Sequence, residues 1–120
     1  MKKILIADDS SYMRMFIMKI INKSGLAIMF EAGTQEEALE QFKANKPDIV
    51  ILDLNMSEYR RDGIIVLTEI MKIDPEAVVI IASAVGYEHV KDECIELGAK
   101  AYIKKPFDTK ELLQLIEQYS

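Results

Sequence analysis

A doubly wound α/β fold built on a five-stranded parallel sheet is predicted by three observations. Over its 120 residues the chain alternates short aliphatic runs with segments whose apolar residues fall at helical spacing. The run Ile49-Val50-Ile51-Leu52 has no polar side, as expected of a strand covered by helices on both faces. Polar or charged residues follow several of these runs abruptly, Asp53 above all.

The elements are read in chain order. Lys3 to Ala7 is a strand, and Ser10 or Ser11 is placed to cap a helix with Met13, Phe16, Ile17, Ile20 and Ile21 on its apolar face, stopped by Gly25. The methionines of this helix are assigned mostly to the core, because Met fills irregular gaps. Ala27 to Ala32 is the second strand. Thr34-Gln35-Glu36-Glu37 has the capping-box pattern, opening a helix with Ala38, Leu39 and Phe42 that Pro47 closes. The central strand ends in Asp53. After Asp62-Gly63, a helix carries Ile64, Leu67, Ile70 and Met71, and Asp74-Pro75 ends it. Val78 to Ala82 is the fourth strand, Tyr87 to Leu97 a shorter helix ended by Gly98, and Ala101 to Lys104 the fifth strand. Asp108-Thr109-Lys110-Glu111 is a second capping box, opening a last helix with Leu112, Leu113, Leu115 and Ile116. No linker, repeat or low-complexity tract divides the chain, which reads as one domain over residues 1–120.

Composition narrows the function. Half of the residues are hydrophobic (50%), yet no apolar run reaches membrane-spanning length. The opening Met1 to Ala7 resembles the start of a signal peptide, but Asp8-Asp9 interrupt it too early, so a cytoplasmic location and no membrane partner are expected. Cys94 is the only cysteine and His89 the only histidine, which excludes an internal disulfide and a zinc cluster; Cys94 reads as a packed helix position. The net charge of −5 opposes broad binding to a phosphate backbone, and no direct nucleic-acid partner is expected.

The chemistry emerges when strand ends are aligned. Asp8-Asp9 follow the first strand, Asp53 ends the third, Ser83 follows the fourth and Lys104-Lys105-Pro106 the fifth. In a parallel sheet these ends share one edge, where open α/β folds bind ligands. Clustered carboxylates repel one another, and a divalent cation relieves that repulsion. A small, oxygen-rich set with open positions suits Mg²⁺.

The ordered set Asp8-Asp9, Asp53, Ser83 and Lys105-Pro106 resembles that of response-regulator receiver domains, and in size and layout the chain is most similar to the single-domain chemotaxis branch. The resemblance implies a flavodoxin-like (βα)5 receiver fold and a signalling switch of a two-component system rather than an enzyme. It implies that Asp53 accepts a phosphoryl group from a sensor histidine kinase or a small phosphodonor such as acetyl phosphate, and that the domain assists its own phosphorylation and dephosphorylation. Asp9 and Asp53 would bind Mg²⁺ directly, Asp8 would hold a metal-bound water, and Asn55 would contribute its backbone carbonyl. Ser83 and Lys105 would bind phosphoryl oxygens, Tyr102 would be the aromatic residue that turns inward on activation, and the Lys105-Pro106 bond would be cis. Output would be binding of a target protein, such as a motor switch component, through the fourth helix, fifth strand and fifth helix. A phosphorelay intermediate and a receiver cut from a larger regulator are the alternatives.

Elementary chemistry supports these roles. Phosphoryl transfer is chiefly positioning and charge neutralisation, so an acceptor carboxylate needs cations around it. The product carries roughly −1.5 to −2 charge, which draws a hydroxyl and an ammonium inward. Two features depart from the family pattern. Ser83 stands where threonine is commoner, and Ser57 stands where proline is expected, in a loop two residues longer than usual that includes Arg60 and Arg61. The loss of proline predicts a more mobile loop that retains Mg²⁺ binding. An aspartate-nucleophile phosphatase of the haloacid-dehalogenase type would need an acid/base carboxylate two residues after Asp53, where Asn55 stands. A nucleotide-binding flavodoxin-like module would need a Gly-rich loop in place of Asp8-Asp9-Ser10-Ser11.

Overall fold

In the computed structural model, which describes residues 2–23, 25, 27–54, 61–84 and 90–119, the aliphatic runs assemble into one sheet. The elements are β1 (Lys2–Ala7), α1 (Ser11–Lys23), β2 (Ala27–Ala32), α2 (Gln35–Asn45), β3 (Ile49–Asp53), α3 (Arg61–Ile73), β4 (Val78–Ser83), α4 (Lys91–Leu97), β5 (Ala101–Lys104) and α5 (Thr109–Gln118). The strands lie in the order β2-β1-β3-β4-β5, every pairing parallel. The doubly wound five-stranded α/β prediction therefore holds.

Strand alternation divides the core between two layers. Leu5, Ala7, Val50, Leu52, Val79 and Ile81 meet Ala38 and Phe42 of α2, Val66, Leu67 and Ile70 of α3, and Cys94 of α4. Their neighbours Ile4, Ile6, Ile49, Ile51, Ile80 and Ala82 face the other way, toward Ile17, Ile20 and Ile21 of α1 and Leu112 and Ile116 of α5. All of β3 is buried, including Asp53. Burying each large aliphatic side chain contributes about 1.5–3 kcal/mol, which is why the continuous apolar runs go to the centre.

The caps form largely as read. Ser10, rather than Ser11, caps α1, its Oγ accepting from the Met13 N–H at 3.2 Å. Thr34 Oγ1 accepts from the Glu37 N–H at 3.1 Å, and its hydroxyl in turn donates to Glu37 Oε1 at 3.3 Å, so the reciprocal contact of this box joins side chain to side chain. Asp108 Oδ1 accepts from the Glu111 N–H at 2.7 Å.

Other details differ from expectation. β4 continues through Ser83, which pairs in register with Lys104, so that hydroxyl is borne by the sheet itself. Asp62-Gly63 lie inside the first turn of α3 instead of ahead of it. A Cβ on Gly63 would stand 2.5 Å from the Leu54 carbonyl oxygen, so glycine lets α3 rest directly on the residue after Asp53. Met13 and Met18 pack against the core, but Met15 is 57% exposed. α4 starts at Lys91; Tyr87 to His89, expected to begin that helix, lie outside the described residues, as do Asn55 and the loop from Met56 to Arg60.

Candidate functional site

The strand order makes the site. Because β1 lies between β2 and β3, the chain winds away in opposite directions from the β1–β3 boundary, and the carboxyl edge at such a switch point is left uncovered. Asp8 and Asp9 leave β1 on one side of that crevice and Asp53 ends β3 on the other. Oxygens of the three carboxylates lie within 4.8 Å of one another, with Asp8 and Asp53 buried and Asp9 exposed. Three hard oxygen donors that close fit a small divalent cation such as Mg²⁺.

Lys105, the residue after β5, completes the cluster. Its Nζ lies 3.1 Å from Asp8 Oδ2 and 3.2 Å from Asp53 Oδ1, so one ammonium bridges two buried carboxylates. Burial opposes its charge, but Asp53 and then Asp8 outweigh that cost and hold its pKa above the ordinary lysine value. Asp9 responds differently. Burial first and the charge of Asp8 second push its pKa above the usual carboxylate value, against the pull of Lys105. The site thus holds more negative charge than its own ammonium offsets.

The backbone carrying Lys105 is braced on both sides. Its N–H donates to the Ser83 carbonyl at 2.6 Å, and Phe107 stacks on Phe16 of α1 with ring centroids 6.1 Å apart. The intervening Lys105-Pro106 peptide is cis, as the resemblance implied. Beside it Met13, Phe16, Ala84, Pro106 and Phe107 line an apolar hollow of about 350 Å³. A second hollow of about 320 Å³, lined by Phe42, Pro47 and Ile73, lies toward the opposite edge of the sheet, where β3 and β4 begin, and takes no part in this chemistry.

Of the residues singled out in the sequence, Asp8, Asp9, Asp53 and Lys105 come together directly. Ser83 is buried at the end of β4, its hydroxyl donating to the Ala84 carbonyl at 3.4 Å. Tyr102 is half-buried opposite Ile81, packed against the core layer of α2, α3 and α4. Asn55 lies outside the described residues. One neighbour escaped the sequence reading: Arg14 of α1 donates to the Asp8 carbonyl oxygen at 2.6 Å and to Glu31 Oε1 at 2.9 Å. Its position on the helix, six residues past Asp8, was the available signal.

A family model described as the response regulator receiver domain matches residues 4–117. This chain belongs to that family. Among curated relatives, the receiver domain is 42% identical over 119 residues to the chemotaxis protein CheY of Thermotoga maritima, covering 99% of this chain and 98% of that one. It is 40% identical over 116 residues to CheY of Bacillus subtilis, covering 97% and 95%. Among solved structures, a receiver domain protein from Clostridium thermocellum superposes with a TM-score of 0.91 at 30% identity, covering 99% of this chain and 94% of that one. The receiver domain of NtrX from Brucella abortus gives 0.89 at 30% identity, covering 97% and 96%. Among the described residues no helix is long and apolar enough to cross a membrane.

Proposed function

We propose that this receiver domain is a phosphorylation-dependent switch of a two-component system with Asp53 as its acceptor. The observation that carries the reading is a buried Asp53 carboxylate held 3.2 Å from Lys105 and clustered with Asp8 and Asp9. In the transfer, an Asp53 oxygen forms a bond to phosphorus as the bond from phosphorus to the donor breaks. The donor, a kinase histidine or acetyl phosphate, leaves with that electron pair. Lys105 neutralises charge on the phosphoryl oxygens from the side it already occupies. Asp9 and Asp53 would hold Mg²⁺, Asp8 would act through a bound water and Asn55 through its carbonyl. When bound, the ion supplies positive charge against the phosphoryl oxygens.

The new group then biases the fold. The bond from Ser83 to Ala84 is long at 3.4 Å, so its hydroxyl is readily drawn to a phosphoryl oxygen. That movement leaves room into which Tyr102 turns, shifting the balance between two packings of the α4–β5–α5 face. The likeness to chemotaxis proteins of two bacteria favours a chemotaxis target, such as a motor switch component, bound there in the cytoplasm after phosphorylation by a sensor histidine kinase. The receiver domain extends over residues 1–120 in this reading.

Intact-protein mass after incubation with acetyl phosphate and Mg²⁺ tests the proposal. One phosphate adduct is expected, requiring Mg²⁺ and absent in Asp53→Asn. No adduct with Mg²⁺ demonstrably bound would overturn the acceptor role and leave a binding scaffold.

A further inference from the structure

We propose that Arg14 is a positioning residue for the acidic turn: it holds the Asp8-Asp9 peptide in the orientation that aims the Asp9 carboxylate at the metal. The inference rests on the Mg²⁺ reading above, but its structural basis stands without a metal.

Asp8 is held at four points. Its N–H donates to the Ala32 carbonyl at 3.0 Å, tying the turn to the end of β2. Its Oδ1 accepts from the Ser10 N–H at 2.8 Å and its Oδ2 from Lys105 at 3.1 Å. The fourth point is its carbonyl oxygen, which accepts from the Arg14 guanidinium at 2.6 Å. That oxygen belongs to the planar peptide joining Asp8 to Asp9, so fixing it fixes the direction in which the chain enters Asp9. The Asp9 side chain is exposed, and its interactions are with Asp8, Lys105 and its own backbone, so its direction depends on how this peptide is set.

Arg14 is itself held. Its Nε donates to Glu31 Oε1 at 2.9 Å, and Glu31 is anchored in β2 opposite Ile6. A Cβ on Gly33 would lie 3.2 Å from the guanidinium, so the glycine leaves the space in which the side chain lies. The rigid fork of donors matters here, because two acceptors in different directions are engaged at once, which a lysine ammonium on a flexible stem reproduces poorly. The Glu31 carboxylate is 47% exposed, and ion pairs so open to water contribute little to stability. The contact therefore acts locally on geometry. This resembles the partners that orient metal ligands in other sites, whose loss typically weakens metal binding 10–100-fold.

The test compares the full chain with Arg14→Ala, Arg14→Lys and Glu31→Gln by Mg²⁺ titration and by amide hydrogen exchange without metal. Arg14→Ala is expected to weaken Mg²⁺ about tenfold and to speed exchange at the Asp9 and Ser10 amides while leaving β3 amides unchanged. Arg14→Lys should recover part of the affinity, and Glu31→Gln should lose less than Arg14→Ala. Mg²⁺ affinity within twofold of the parent, with unchanged exchange at Asp9 and Ser10, would overturn the proposal. So would faster exchange spread evenly through the sheet, which marks a merely structural role. If the parent itself gives no saturable Mg²⁺ response, the metal reading fails, while faster exchange confined to the turn in Arg14→Ala still sustains the positioning of Asp9.

Discussion

Asp8, Asp9 and Asp53 gather around one ammonium, and burial first and the neighbouring charge of Asp8 second hold the Asp9 pKa above the ordinary carboxylate value. A folded-state pKa above the unfolded one means that the native protein binds the proton more tightly. The associated stability is present at pH below the ordinary value of 3.8 and is lost as pH rises through the folded value. Ionised Asp9 therefore destabilises the metal-free protein at neutral pH. Asp9→Asn is expected to raise the neutral-pH melting temperature modestly in the absence of Mg²⁺, and the advantage should vanish below about pH 3.8, a value fixed by the unfolded carboxylate. Melting curves across pH check this, and an advantage that persists in acid would contradict it. Lys105 has the opposite consequence: with its pKa raised, its contribution is held throughout the neutral range and lost only above the ordinary lysine value of 10.5.

At the scale of elements, the contact of α3 with the end of β3 governs how the residues after Asp53 are placed. Gly63 brings the first turn of α3 against Leu54, where a methyl group would stand 2.5 Å from the carbonyl oxygen and 2.8 Å from the Cα. Backbone cannot yield as a flexible side chain can. Gly63→Ala is expected to push α3 away and destabilise the protein by roughly 1–3 kcal/mol, the usual cost of overpacking, despite alanine's better helix propensity. It should also weaken Mg²⁺ binding, because Leu54 adjoins the acceptor. Denaturant unfolding with and without Mg²⁺ measures both effects; a more stable Gly63→Ala protein would show that the contact relaxes freely.

At the scale of the molecule, the site is a property of strand order. The two carboxyl-bearing turns come from segments about forty-five positions apart in the chain, Asp8 and Asp53, and meet only because β1 and β3 are parallel neighbours. Anything that binds the native site and not the unfolded chain stabilises the fold by mass action. Mg²⁺ at a hundred times its dissociation constant should therefore add about 2.7 kcal/mol. Thermal melts of the parent and of Asp53→Asn in increasing Mg²⁺ check this. A parent melting temperature independent of Mg²⁺ would show that the cluster does not hold the ion.

Much of this was legible in one dimension. The aliphatic run before Asp53 had no polar face, so it had to be central; Thr34 and Asp108 marked helix starts through hydroxyl and carboxylate groups that satisfy amides three residues on. Asp8, Asp9, Asp53 and Lys105 were legible as a set because residues at the carboxyl ends of parallel strands share an edge wherever the sheet forms. What the sequence by itself determined was thus the class of fold, the buried strands and the membership of the acidic cluster, since these follow from hydrophobic periodicity and strand polarity. Only the tertiary structure decided that Arg14 ties the Asp8 carbonyl to Glu31, that Gly63 lies within α3 against Leu54, and that Met15 faces water while Met13 and Met18 pack. The physical reason is common to all three: a long side chain's partner, a helix's distance from a strand and a residue's share of solvent depend on how elements are set against each other, and local spacing along the chain does not carry that information.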